Sequence, residues 1–237
     1  GTYAKPIPKH RLIFPYEFND GRAFLIPPER MAAEFPRTWE YLNANAKSLR
    51  ARESGKADGD SWYGYIYLKN MLSFDVPKLI VQVVSKTGQY AYDENSVYFS
   101  GGGNGPYYGV RFKSDDSPLS IHYLQALLSS PLLDFLLHRV STTFRGGYFS
   151  YSKRYLEKLP IRTIDFSDPQ DKARHDHMVT LVERMLDLHK RLPEARTAPD
   201  RKIIERQIAA TDEEIDRLVY ELYGLTDEDV AIVEERT

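Results

Sequence analysis

The 237-residue chain is 42% hydrophobic and 13% aromatic, enough apolar content to bury a core and too much for a disordered polymer. It has no cysteine, which excludes disulfides, thiolate metal sites and cysteine nucleophiles, and no run of about 18 apolar residues, so no membrane-spanning helix is expected. The formal charge of −2 is unevenly spread: residues 194–237 hold 13 acids against 6 bases, which leaves an excess of 5 positive charges on residues 1–193 and suits only that part to a polyanionic partner.

The opening residues Gly1-Thr-Tyr-Ala-Lys-Pro6 contain no apolar signal-peptide core, so a cytoplasmic protein is expected; the missing initiator Met reads as the mark of a fragment. Residues 11–17 and 22–28 read as two strands joined at the Asn19-Asp20-Gly21 turn. Pro36 then suits a first helical turn, and Trp39, Leu42, Ala46 and Leu49 recur at helical spacing, which predicts one amphipathic helix ending at Gly55.

From Trp62 to Phe112 the pattern becomes strand-like. Segments 62–67, 78–84, 89–92, 96–99 and 107–112 are rich in aromatic and β-branched residues and are separated by Asp, Asn, Gly and Pro. Residues 79–84 are apolar on both faces except at Gln82, which predicts a central strand covered on both sides. Two short apolar helices follow, roughly 122–128 and 131–138, broken at Ser129-Ser130-Pro131.

Farther on, Met178, Leu181, Met185, Leu188 and Leu192 form one apolar stripe, and Ile204, Ile208, Thr211, Ile215, Leu218 and Leu222 form another. Steps of three and four residues predict two long helices folded back on each other, with a last short helix capped by Thr226. The expected fold class is α+β: a mixed, largely antiparallel sheet with flanking helices, followed by a C-terminal antiparallel helical hairpin. The expected division is residues 1–165 and 166–237.

Two segments carry the chemistry. Residues 144–160, Phe-Arg-Gly-Gly-Tyr-Phe-Ser-Tyr-Ser-Lys-Arg-Tyr-Leu-Glu-Lys-Leu-Pro, set rings and cations on a glycine-hinged turn, and residues 139–162 hold six Lys or Arg against the single acid Glu157. Cations neutralise phosphates, Arg can pair with guanine, and Tyr and Phe offer faces to bases, although a solvated amphipathic helix has the same composition. The second segment, Phe99-Ser-Gly-Gly-Gly-Asn-Gly-Pro-Tyr-Tyr-Gly109, has four glycines within 101–105. No Gly-Lys-Ser/Thr follows, so it is not a phosphate-binding P-loop; it is either a hairpin tip or a contact loop whose Asn104 amide suits adenine.

Catalytic signatures are missing. His175 and His177 stand two apart on a predicted helix and point to different sides, so no metal site is expected. There is no Gly-x-Ser-x-Gly, no His-Glu-x-x-His and no EF-hand loop, and Asp200 with Glu205 lacks the Glu-x-Lys pair of a metal-dependent nuclease.

The Gly101–Gly109 loop, the helix pair 124–135, the basic aromatic segment 144–161 and the closing Ile215-Asp-Arg-Leu-Val-Tyr-Glu-Leu-Tyr-Gly-Leu-Thr226 together resemble the TaqI-like C-terminal specificity domain of DNA adenine-N6 methyltransferases. The likeness is to those of combined type IIG restriction-modification enzymes in particular, and it runs from about Phe35 to Val233. It implies a target recognition domain whose partners are double-stranded DNA and an N-terminal methyltransferase domain of the same parent polypeptide. That other domain would bind S-adenosylmethionine, and no cofactor is expected in this chain. The family's catalytic Asn/Asp-Pro-Pro-Tyr/Phe has no counterpart, because Ile26-Pro-Pro-Glu29 lacks both its polar first and aromatic last residue.

The expected DNA contacts are Arg145, Gly146, Gly147, Lys153 and Arg154, with Tyr148 and Tyr151 as packing or stacking faces, then Gly102, Gly103 and Asn104 with Tyr107 and Tyr108, and Lys86 on the turn after the central strand. Two alternatives stay open. One is a stand-alone specificity subunit, and the other a carbohydrate- or protein-binding module presenting Tyr63, Tyr65 and Tyr67 from one side of a strand.

Overall fold

The computed structural model describes Tyr3 and residues 6–68, 70–94, 97–99, 105–114 and 116–235. The chain divides into two compact units, one formed by Pro8–Val76 with residues 96–98, the other by the rest.

The smaller unit opens with the expected hairpin. Strands β1 (Tyr16–Asn19) and β2 (Arg22–Leu25) pair antiparallel, Asn19 opposite Arg22. Asp20 and Gly21 between them both have positive φ, +46° and +69°, the two-residue turn whose twist matches that of the strands. Helices α1 (Pro28–Glu34), α2 (Pro36–Ala44), α3 (Ala46–Arg50) and α4 (Arg52–Gly55) follow.

The single helix expected from Pro36 to Gly55 is therefore broken. At Asn45 the backbone leaves helical geometry (φ −104°, ψ 9°), and the side-chain amide turns back to donate to Tyr41 O at 2.8 Å. The strand expected at 62–67 is absent as well: Trp62–Tyr67 runs as turns and bends. The reason is Arg52, whose guanidinium donates to Leu49 O (2.7 Å), Trp62 O (2.6 Å) and Gly64 O (2.9 Å) and so clasps the segment. Tyr63 is buried with its hydroxyl on Ile26 O while Tyr67 is exposed, so Tyr63, Tyr65 and Tyr67 form no shared platform. Ile26, Met31, Leu42, Trp62 and Tyr63 make this unit's core.

In the larger unit β3 (Lys78–Gln82) is the centre strand between β5 (Tyr90–Asp93) and β6 (Tyr107–Val110), as its apolar run predicts. Beyond Val83 the chain continues as β4 (Val84–Ser85) and joins a second sheet of order β4-β8-β7, in which β7 is Thr143–Phe144 and β8 is Tyr148–Ser150. All pairings among the described residues are antiparallel, shared among three small sheets instead of one. Of the strand expected at 96–99, Ser96 lies outside the described residues and 97–99 are not in a strand.

Helices α5 (Ile121–Ser129) and α6 (Pro131–Val140) meet at Ser130, whose hydroxyl donates to Leu127 O at 2.7 Å and accepts from Leu133 N at 3.3 Å. After a short α7 (Lys153–Leu156) come α8 (Pro169–Arg191) and α9 (Ala198–Tyr223), antiparallel, with His177 against Glu214 at 3.2 Å. Thr226 and Asp229 form a capping box for α10 (Asp227–Glu234). Met178, Leu181, Met185, Ile215 and Val219 share one core with Leu79, Val81, Tyr123 and Leu127, so the helical hairpin and the sheet bury each other. No helix among the described residues is long and apolar enough to cross a membrane.

Candidate nucleic-acid interface

The two sequence segments that carry cations, rings and glycines meet at one backbone residue. Val83 N donates to Pro106 O at 2.9 Å, and Val83 O accepts from Tyr151 N at 2.7 Å. Tyr107, in the glycine-rich segment, is thereby held beside one edge of the chain at the bend between β3 and β4, and the β7–β8 hairpin beside the other.

At the hairpin tip the turn Arg145-Gly146-Gly147 has φ of +89° and +77° at its glycines, a region that side-chain-bearing residues avoid. Arg145 projects into solvent, flanked by the exposed cross-strand pair Phe144 and Tyr148. Lys86, 62 positions before Tyr148, places its ammonium 5.5 Å from that ring's centroid. Lys153 and Arg154 lie exposed on α7, with the Arg154 guanidinium 4.9 Å from the Tyr155 ring. Among the described residues Arg145, Lys153 and Arg154 have no carboxylate partner, so their charge faces outward.

Two of the expected contact rings, those of Tyr151 and Tyr108, turn inward. Tyr151 is wholly buried, its hydroxyl donating to Asp134 Oδ1 at 2.6 Å, and so it packs and offers no face to a ligand. Tyr108 is half-buried against the core, whereas Tyr107 is 39% exposed. Gly102, Gly103 and Asn104 lie outside the described residues.

Beneath the hairpin sits a buried polar group with no sequence signature of its own. Asp134 Oδ1 accepts both from Tyr151 and from Gly88 N (2.9 Å), while the His138 ring approaches Tyr151 Oη at 3.0 Å and stacks on Phe149 at 3.6 Å. Burial pushes the Asp134 carboxyl above the usual carboxylate range, against the hydrogen bond from Tyr151. Burial, then the Asp134 charge, pushes the Tyr151 hydroxyl up, so it stays a donor. The group ties α6 to both the turn that carries Lys86 and the strand that leads to Lys153.

The segment nearest in sequence to a catalytic tetrapeptide, Ile26-Pro27-Pro28-Glu29, is a helix start: Ile26 is buried, Pro28 is the first residue of α1 and Glu29 sits in its first turn. These residues do not fit a methyl-donor site.

The model of the TaqI-like C-terminal specificity domain matches residues 32–161. The chain is 28% identical over 241 residues to the type II restriction enzyme and methyltransferase RM.Eco57I of Escherichia coli, covering 98% of this chain and 23% of that protein. It is 25% identical over 201 residues to the type II methyltransferase M.XhoI of Xanthomonas vasicola (85% and 30%) and 25% identical over 197 residues to M.PaeR7I of Pseudomonas aeruginosa (83% and 28%). The chain thus spans under a third of the length of these relatives.

Proposed function

The chain belongs to the family of TaqI-like C-terminal specificity domains, and from that premise we propose that it is the DNA target recognition domain of a restriction-modification adenine-N6 methyltransferase, working in the cytoplasm. It holds a duplex site while a separate catalytic domain of the same polypeptide, supplied with S-adenosylmethionine, methylates an adenine turned out of the stack. Residues 1–165 carry recognition, and the acidic residues 166–237 set the spacing to the partner domain. Arg145, Lys153 and Arg154 meet phosphates, and Tyr148 with Tyr107 offers ring faces.

The observation that carries this reading is the joining of both segments at Val83, with the exposed cations Lys86, Arg145, Lys153 and Arg154 in no ion pair among the described residues. A helix face solvated for solubility has no reason to converge with a glycine-hinged hairpin on one strand. The absence of a shared face at Tyr63, Tyr65 and Tyr67 removes the support for a carbohydrate platform.

The test is duplex binding by the 237-residue chain across about 50 to about 200 mM salt. Log affinity should fall linearly with log salt, and Arg145→Ala with Arg154→Ala should weaken binding and make the slope shallower by about 2. Unchanged affinity and slope in the double variant would overturn the assignment of this surface.

A further inference from the structure

We propose that Gln82 is a base-reading, specificity-determining residue of this surface, with adenine as the base it reads. The inference rests on the recognition role proposed above and deepens it.

Strand β3 is buried from Lys78 to Val81, between 0% and 7% exposed, and its last residue, Gln82, is exposed. The change comes where the strand leaves one sheet and enters the other. Gln82, Val84 and Lys86 are exposed, whereas Val83, at the bend between β3 and β4, is half-buried and Ser85 buried, so exposed and covered positions alternate through the crossover and into the turn that follows. Across from Gln82 stands Tyr107, also exposed, and across from Val84 stands Ser150, itself buried. Past these the face runs on through Lys86 to Tyr148 and its exposed cross-strand partner Phe144. Gln82 therefore lies mid-stripe between the Tyr107 ring and the Lys86–Tyr148 pair.

Its chemistry is that of a reader. A Gln side chain carries an acceptor and a paired donor, and adenine in the major groove shows the complementary N7 acceptor and N6 donor. Lys86 is a cation that suits phosphate or guanine, and Val84 offers only methyls to a thymine methyl; of the three exposed side chains only the Gln82 amide carries the paired donor and acceptor that adenine requires. It is also unengaged, since Gln82 makes no side-chain hydrogen bond to a described residue and its exposed position needs none for folding.

The experiment selects bound duplexes from a pool randomised at its centre, using the 237-residue chain, Gln82→Ala and Gln82→Glu, with salt titrations of each. The wild type should enrich a motif containing an adenine about tenfold or more over other bases at one position. Gln82→Ala should lose the preference at that position alone with an unchanged salt slope, and Gln82→Glu should move it toward cytosine, whose N4 donor a carboxylate accepts. Two outcomes overturn the assignment while leaving recognition intact: both variants keeping every position of the motif, or a Gln82→Ala loss that is uniform across sequences with a slope shallower by about 1, the mark of a phosphate contact. A wild type that neither binds nor enriches any motif takes down this inference and the recognition role together.

Discussion

At the scale of single residues the proposed DNA-binding surface is built on groups that never touch solvent. Gly88 closes the turn that carries Lys86, and a Cβ built on it would lie 2.8 Å from the Tyr90 ring, 3.1 Å from Asp134 Oδ1 and 3.3 Å from the Tyr151 ring. None of those atoms can retreat cheaply, because Tyr90 and Tyr151 are among the largest wholly buried side chains and Asp134 already holds Gly88 N and Tyr151 Oη. Gly88→Ala should therefore cost about 1–3 kcal/mol of stability, the range for overfilling a packed site, and urea unfolding should show it as a lower midpoint with an unchanged m value. Arg145→Ala, at an exposed tip with no ion-pair partner among the described residues, should change the unfolding free energy by no more than about 0.5 kcal/mol while weakening DNA binding. The pair of measurements separates residues that build the surface from residues that use it.

At the scale of elements, helices α9 and α10 bring carboxylates together. Asp212 and Asp216 stand one turn apart on α9, and Glu234 of α10 adds its charge; burial, then Asp212, then Glu234, pushes the Asp216 carboxyl up to about 7. A carboxyl raised in the folded state binds its proton more tightly there than in the unfolded chain, so stability falls as pH rises from about 4 to about 7. Asp216→Asn should thus be more stable than wild type by about 2 kcal/mol at pH 8, since solvent at the half-buried site screens part of the repulsion, and equal to it near pH 4. A gain that persists undiminished at low pH would mean that packing, not charge, is responsible. These helices were legible in the sequence because 3.6-residue periodicity is local: Met178, Leu181, Met185 and Leu188, and Ile204, Thr211, Ile215, Leu218 and Leu222, are buried as their spacing predicts, with Ile208 half-buried. The aromatic alternation of residues 62–67 misled for a complementary reason, since Arg52, ten positions earlier, bends the segment into turns. For Tyr151 the sequence left packing and stacking both open, because its burial depends on Asp134 and His138, whose approach no local pattern records. The cation-bearing hairpin was legible through its glycines, and Gln82 announced itself only as the single polar interruption of an apolar run.

At the scale of the whole molecule, the proposed division into recognition and spacing does not follow the division of packing. The unit at Pro8–Val76 has its own core of Ile26, Met31, Leu42, Trp62 and Tyr63, whereas the helical hairpin has none apart from the sheet and helices it covers. Met178, Val182 and Met185 on α8 and Val219 on α9, each wholly buried, lie in one cluster with Tyr123, Leu127 and Leu137 of α5 and α6, and α6 supplies the Asp134 that holds the Gly88 turn beneath the β7–β8 hairpin. Removing residues 166–237 would strip that shared core of one side and expose the apolar faces of α5 and α6. Each buried Leu or Met side chain so exposed forfeits about 2 kcal/mol, and losing several exceeds the whole stability of a typical domain. A chain ending at Asp165 should therefore lose the cooperative unfolding and fixed tertiary packing of its β3–β8 part, read as collapse of near-UV dichroism and of amide protection at Leu79–Val81, and DNA binding should go with it. The same measurement should find residues 16–64 still protected, because their core does not draw on the hairpin. Retained protection at Leu79–Val81 in the shortened chain would show instead that residues 1–165 fold as an autonomous recognition domain, and the acidic helices would then be a spacer in structure as well as in function.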